Sequence, residues 1–367
     1  MQIGSLTLAN NLVLSPMAGV TDLVYRTLAR EHGCALALTE MVSAAGLTRG
    51  SDKSFALMRK HGDERPLGVQ LFGGDPAELG EAARIAEAEG ADLVDVNFGC
   101  PVKKVTRYGA GSALLREPHK VAQILRAVRG AVRVPLTLKI RMGWDVTSRN
   151  YCDIARIAEG EGAAAITMHG RTVKQMYTGQ ADWDAIGDLK AAARIPVLGS
   201  GDLFSADAVV AMLRHTGADG AFVARGSMGN PWIFEETLAK LGRGPAFRPP
   251  RAVEIRRTLV THYEMHCDAF GEPRAVREMR KHLAWYTKGL PDGADFRNTI
   301  NRLDAADQVR EAVARYFDRV EAALGDRPLP RRGHASENDS CAAAAVSDAP
   351  RSVEAGNLRL PSEAAPV

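Results

Sequence analysis

Cysteine is sparse in this 367-residue chain. Cys34, Cys100, Cys152, Cys267 and Cys341 are odd in number and never fall in CxxC spacing. A disulfide framework and a thiolate zinc site are both left without support. No apolar run is long enough to cross a bilayer. Met1–Leu14 lacks the basic stretch and apolar core of a secretory leader. The expectation is a cytoplasmic protein without membrane or metal, acting as a monomer. An excess of charge of one sign is also missing: 47 basic against 44 acidic residues give a net charge of only +3. Composition therefore does not announce a nucleic-acid partner, and any basic footprint must come from clustering. No GxGxxG opens a helix after the first strand, which counts against a doubly wound dinucleotide-binding sheet. What is present, 46% hydrophobic and 25% charged residues, is enough to bury a core unaided.

Over roughly the first 240 residues one rhythm repeats: a short apolar run, a polar turn, then an amphipathic helix ending at glycine. The runs are Leu12–Ala18, Ala35–Val42, Leu67–Phe72, Leu93–Gly99, Leu136–Arg141, Ala165–His169, Val197–Ser200 and Gly220–Ala224. Continuous rather than alternating apolar character predicts strands buried on both faces, as in a parallel sheet. Thr21 is a candidate helix cap, and Pro76 and Pro118 stand where helices begin. Eight strand–helix units predict an α/β fold, a (β/α)8 TIM barrel over 1–242. Residues 243–250 (RGPAFRPP) read as a linker, 251–325 as an all-helical domain, and 326–367 as a disordered tail with too few large apolar residues to order.

In such a barrel the chemistry lies at the C-terminal strand ends. These carry Pro16, Met17 and Ala18; Glu40; Gln70; Asn97 and Cys100; Lys139 and Arg141; His169; Ser200, Gly201 and Asp202; and Ala224 and Arg225. Glycines in the last two loops, leading into helix N-termini, suit a phosphate. A nucleotide cofactor fits there, with Lys139 beside the anionic edge of a reduced flavin and the Gln70 amide on a flavin or pyrimidine edge. Cys100, between Gly99 and Pro101 at a strand end, reads as a functional thiol more than a packed one.

The segments LSPMAGVTD, TEMV, VQLFGGDP, DVNFGCPVKKV, GAGSALL, LKIRMGW, MHGRTVKQMYTG and ARGSMGNPWIF resemble the tRNA-dihydrouridine synthases, most of all their bacterial B branch. The resemblance implies an oxidoreductase that reduces the C5–C6 bond of a uridine in the tRNA D-loop. NADPH or NADH reduces FMN, reduced FMN passes hydride to C6, and Cys100 protonates C5. It also implies that Pro16, Met17 and Ala18 lie against the flavin, that Gln70 and Lys139 hold its polar edge, and that His169 is nearby. Ser200, Gly201, Asp202, Ala224 and Arg225 would take the ribityl chain and phosphate, while Asn97 and Arg141 line the uracil pocket. The chain departs from the family at two places: Ser200-Gly201-Asp202 replaces Asn-Gly-Asp, and Ala224-Arg225-Gly226 replaces Gly-Arg-Ala.

A flipped uracil calls for RNA contacts beyond the barrel. Lys103, with Lys104 and Arg107, stands in the loop after Cys100. From Pro273 helical spacing puts Arg274, Arg277, Lys281 and Lys288 on one face and Val276, Met279, Leu283 and Tyr286 on the other. The basic face is the expected tRNA handle, since each neutralised phosphate releases counterions. His262 and His266, one turn apart, read as a packing or surface pair. Three rivals stay open on the residues: an FMN barrel acting on a free pyrimidine, a Schiff-base aldolase using Lys139, and a non-catalytic RNA-binding protein.

Overall fold

The computed structural model describes residues 1–62 and 64–330. A hairpin, β1 (Gln2–Ile3) and β2 (Leu6–Thr7), precedes strands β3 (Leu12–Leu14), β4 (Leu36–Leu38), β5 (Val42–Ser43), β6 (Leu67–Phe72), β7 (Leu93–Phe98), β8 (Leu136–Arg141), β9 (Ala165–His169), β10 (Val197–Ser200) and β11 (Gly220–Val223). All pairings from β3 onward are parallel. The ring runs β3-β4-β6-β7-β8-β9-β10-β11 and closes from β11 back to β3, with β5 a short extension on β6. The fold is an eight-stranded TIM barrel.

Helices α1 (Leu23–Glu31), α2 (Ala44–Thr48), α3 (Asp52–Leu57), α4 (Pro76–Ala88), α5 (Lys103–Thr106), α6 (Pro118–Ala131), α7 (Tyr151–Gly160), α8 (Trp183–Ala192), α9 (Ala206–Thr216) and α10 (Ile233–Lys240) belong to the barrel. Pro76 and Pro118 occupy first turns, where no N–H is missed. One apolar cluster joins these helices to the outer faces of the strands, and a smaller one, containing Ile3, Val13 and Phe222, fills the N-terminal mouth above the hairpin.

Five strand and cap expectations need correction, the last strand among them: it ends at Val223, because the Ala224 carbonyl turns to accept from Ser227. The first strand ends at Leu14, because Pro16 has no N–H and Met17 donates to Thr21 Oγ1 (2.8 Å), turning the chain. The second breaks after Leu38, where Glu40 turns aside to accept from Gly19 N. The fourth stops at Phe98, because Asn97 Oδ1 takes the Gly99 and Cys100 amides. Asp22, not Thr21, caps α1, accepting from the Val24 and Tyr25 amides at 2.9 Å. The hairpin was not anticipated.

Beyond the barrel, α11 (Ala252–Phe270), α12 (Glu272–Tyr286), α13 (Gly293–Ile300) and α14 (Ala306–Leu324) share a separate apolar cluster. Tyr25 donates to Ser227 O and stacks near His262 and His282, binding α1 and the last barrel loop to this layer. His262 and His266 are both buried there. Residues 326–330, expected in the tail, dock on the layer: Leu329 N donates to Pro250 O (2.9 Å), and Asp326 pairs with Arg251. The rest of that tail lies outside the described residues. No described helix is long and apolar enough to cross a membrane.

Candidate functional site

A cavity of about 250 Å³ opens at the C-terminal ends of the strands. It is lined by Pro16, Met17 and Ala18 after β3, Gln70 on β6, Asn97 and Cys100 at the end of β7, Lys139 and Arg141 on β8, and His169 on β9. Ser200, Gly201 and Asp202 follow from β10, and Ala224, Arg225 and Gly226 after β11. The strand-end residues singled out in the sequence thus meet in one place, except Glu40, whose carboxylate turns to the Gly19 amide and stands outside the lining. Lys103, at the exposed start of α5, stands outside the lining, as do Arg274, Arg277 and Lys281 on α12.

The cavity is electropositive. Lys139 opens on it, and burial pulls its ammonium down to about 8. Among the described residues its ammonium donates no hydrogen bond, and the nearest aromatic face, Phe222, is 5.9 Å away. The Arg141 guanidinium is braced by carbonyls of Gly99 (3.0 Å), Thr172 (2.8 Å) and Met176 (2.7 Å). It therefore ties the loops after β7 and β9 together while lining the cavity. Arg225 and Arg141 both lie over the ring of Tyr177, at 5.0 and 5.4 Å. Burial first, then Arg141, Lys139, Arg171 and Arg225, hold His169 well below the ordinary imidazole value, so it is neutral. Arg171 donates to its Nε2 (3.3 Å), which leaves the proton on Nδ1.

The loops after β10 and β11 carry the features of an anion cradle. Gly201 has φ +121°, and a Cβ there would come within 2.6 Å of Ala181. At Gly226 a Cβ would meet Leu203 O at 1.9 Å. Among the described residues no group of the chain accepts from the amides of Gly201, Leu203 or Gly226. Asp202 has φ +58°, a strained backbone for a non-glycine residue. Its carboxylate holds Arg171 (2.8 Å) and the Ala181 amide (2.7 Å), so it fixes the cradle's outer wall.

Cys100 is half-buried, and burial raises its thiol above the ordinary range, so the protonated form prevails at neutral pH. Its backbone is held independently of its sulfur: the amide donates to Asn97 Oδ1 (2.8 Å), and the carbonyl accepts from Ser112 Oγ (2.8 Å). Asn97 reaches the cavity wall, but its amide is engaged by Gln70 Oε1 (2.8 Å) and this turn.

Sequence reasoning missed Trp285, which reaches the cavity from α12, along with Tyr177, Phe204 and Phe222. No strand-end rule could find Trp285, since the helical layer lies far along the chain. It is held by Gly229 (φ +63°), where a Cβ would sit 2.5 Å from the Trp285 backbone. On α12, Val276, Met279, Leu283 and Tyr286 are buried and Arg274 and Arg277 exposed. Arg274 pairs with Glu278 (2.9 Å), while Lys281 is half-buried; burial raises the Glu40 carboxyl above its ordinary range, and the Lys281 charge partly opposes that rise.

The family model described as dihydrouridine synthase (Dus) matches residues 13–321. The tRNA-dihydrouridine synthase B of Xanthomonas axonopodis pv. citri is 44% identical over 324 residues, which cover 88% of this chain and 98% of that protein. The tRNA-dihydrouridine synthase B of Pseudomonas putida is 42% identical over 324 residues, 88% of this chain and 96% of that one. Among solved structures, histamine dehydrogenase from Rhizobium sp. 4-9 superposes with a TM-score of 0.51 at 12% identity, covering 89% of this chain and 64% of that chain, a likeness of fold.

Proposed function

The chain belongs to the dihydrouridine synthase family, and on that premise we propose that it is an FMN-dependent enzyme reducing the C5–C6 bond of a uridine in the tRNA D-loop, with NADPH or NADH as reductant. The observation that carries the cofactor reading is the half-buried Lys139, whose ammonium donates no hydrogen bond among the described residues and faces a cavity whose far wall is a glycine-built anion cradle. A flavin with a terminal phosphate matches that donor set. When bound, the flavin supplies the hydride that uracil C6 receives.

Every other part belongs to the chain. The amides of Gly201, Leu203 and Gly226, with Arg225, hold the phosphate. Lys139 and Gln70 face the polar edge of the ring, and Pro16, Met17 and Ala18 form its bed. Charge developing on the pyrimidine is met by the field of Lys139 and Arg141 and by the Nδ1–H of His169. The Cys100 thiol, protonated at neutral pH, delivers its proton to C5. Trp285 and Tyr177 wall the mouth against water. Lys103 beside Cys100, and Arg274, Arg277 and Lys281 on α12, contact tRNA phosphates and offset the roughly few kcal/mol needed to extrude the base.

The test is a visible spectrum of the purified protein with acid release of its chromophore. Mass spectrometry of tRNA lacking dihydrouridine, after incubation with enzyme and NADPH, completes it. Released FMN and new dihydrouridine support the reading. A colourless protein that takes up no added FMN overturns it.

A further inference from the structure

Under the cavity floor lies a connected set of buried polar side chains. Gln70, Asp95 and Thr137 stand opposite one another on β6, β7 and β8, and Asn97 and Lys139 face each other one layer nearer the strand ends. Asp95 is 1% exposed and does not line the cavity. A carboxylate only accepts hydrogen bonds. Its Oδ1 accepts from Thr137 Oγ1 (2.6 Å) and its Oδ2 from Gln70 Nε2 (2.7 Å). Gln70 is thereby turned so that its Oε1 faces Asn97 and accepts from Nδ2 (2.8 Å). Asn97 Oδ1 is left to accept the amides of Gly99 (3.1 Å) and Cys100 (2.8 Å). One acceptor-only group at the bottom sets the direction of every link up to the Cys100 turn.

We propose that Asp95 is a positioning residue: its carboxylate fixes the amide polarity of Gln70 and Asn97, through them the Cys100 turn, and supplies the counter-charge to Lys139. The proposal rests on the reading above, in which Lys139 faces the flavin and Cys100 is the acid. Asp95 itself touches neither cofactor nor substrate. Among the described residues Lys139 is the charged group that acts on it, while Gln70 and Thr137 face it as donors. Burial raises the carboxyl to about 6, against those three influences. A group raised in this way is ionised above that pH and protonated as pH falls through it. Protonated Asp95 must donate, which reverses one link of the chain.

The experiment uses the full-length flavoprotein and the variants Asp95→Asn and Thr137→Val. In the unaltered enzyme, dihydrouridine formation should fall as pH drops through about 6. Asp95→Asn should lose that limb and lower kcat by roughly ten- to a hundredfold, leaving the KM for tRNA within about twofold. Thr137→Val keeps the carboxylate but removes a bond that lowers its pKa, so the limb should move to higher pH. A readout that needs no flavin is the rate of Cys100 alkylation by iodoacetamide, followed on its own peptide. Lys139 lowers the Cys100 pKa, so weakening the Lys139 charge in Asp95→Asn should slow alkylation near pH 8. An unchanged acid limb, kcat and alkylation profile in Asp95→Asn would overturn the proposal. If that variant does not fold, an unmoved limb in Thr137→Val overturns it instead. If the unaltered chain binds no flavin, the functional reading fails and the alkylation arm alone decides on Asp95.

Discussion

Replacing Cys100 by alanine removes a sulfur whose own contact is with the Val102 backbone, from a turn that other bonds hold. The turn is held by the Cys100 amide on Asn97 Oδ1 (2.8 Å) and by Ser112 on the Cys100 carbonyl (2.8 and 3.1 Å). None of these bonds involves the thiol. Losing one half-buried sulfur costs about 1 kcal/mol or less of stability, so Cys100→Ala should fold and bind flavin with an unchanged spectrum. The chemical step should suffer far more. A positioned acid contributes about 10² to 10⁴ in rate, which is roughly 3 to 6 kcal/mol of barrier at about 1.4 kcal/mol per tenfold. The assay is an anaerobic single turnover of pre-reduced enzyme with tRNA, so that cofactor reduction does not mask the step. The single-turnover rate constant should fall by that factor while the tRNA concentration giving half of it stays put. The sign of the pH effect follows from the raised thiol: the acid form prevails through neutrality, and activity is lost as pH rises through its pKa. A Cys100→Ala rate within about threefold of the unaltered enzyme would refute the acid assignment, since no acid contribution of the expected size could be that small.

Lys139 is charged below about 8 and neutral above. FMN affinity should be level up to that pH and then fall, by at most about tenfold per unit for one proton, and Lys139→Met should be weaker and flat when fluorescence quenching is titrated. Without ligand the stability sign is opposite: burial favours the neutral amine, so the apo chain gains stability as pH rises from about 8 toward the unfolded value, which denaturant melts at pH 8 and 10 would detect. Charge reversal at Arg277 and Lys281 should raise the tRNA KM and flatten its salt dependence by about one unit of log–log slope per lost contact; a KM unmoved across a salt series would remove α12 from the RNA surface. Glu64→Ala strands Arg26, which is 1% exposed and holds Glu64 at 2.7 Å, so urea unfolding should show a loss of about 3 to 5 kcal/mol.

The barrel was legible because its signal is local. Strands buried on both faces read as unbroken apolar runs, and glycine or proline marks where each helix starts or stops. Where boundaries slipped, a side chain had taken over a backbone partner. Asn97 captures the Gly99 and Cys100 amides, and Thr21 captures Met17 N. Asn and Thr can always compete with a ladder in this way, and which residues win depends on the other bonds each side chain makes, as Asn97 does with Gln70. The cap of α1 went to Asp22 rather than Thr21 for the same reason.

The residues of the candidate site could be named from strand ends, because a parallel barrel delivers every such end to one face. Their division of labour could not. Arg141 looks like a ligand in sequence, yet its guanidinium is braced on carbonyls of the surrounding loops. Asn97 looks like a pocket amide, yet it is committed to the Cys100 turn. Trp285 comes from the helical layer to wall the same cavity. Sequence alone determined the rhythm, the eight strands and the ring of polar ends, since these follow from periodicity and turn chemistry within a few residues. Tertiary structure alone decided which of those polar groups hold one another and which face the cavity, because hydrogen-bond partners are chosen in space, across strands that the chain brings together only when the barrel closes.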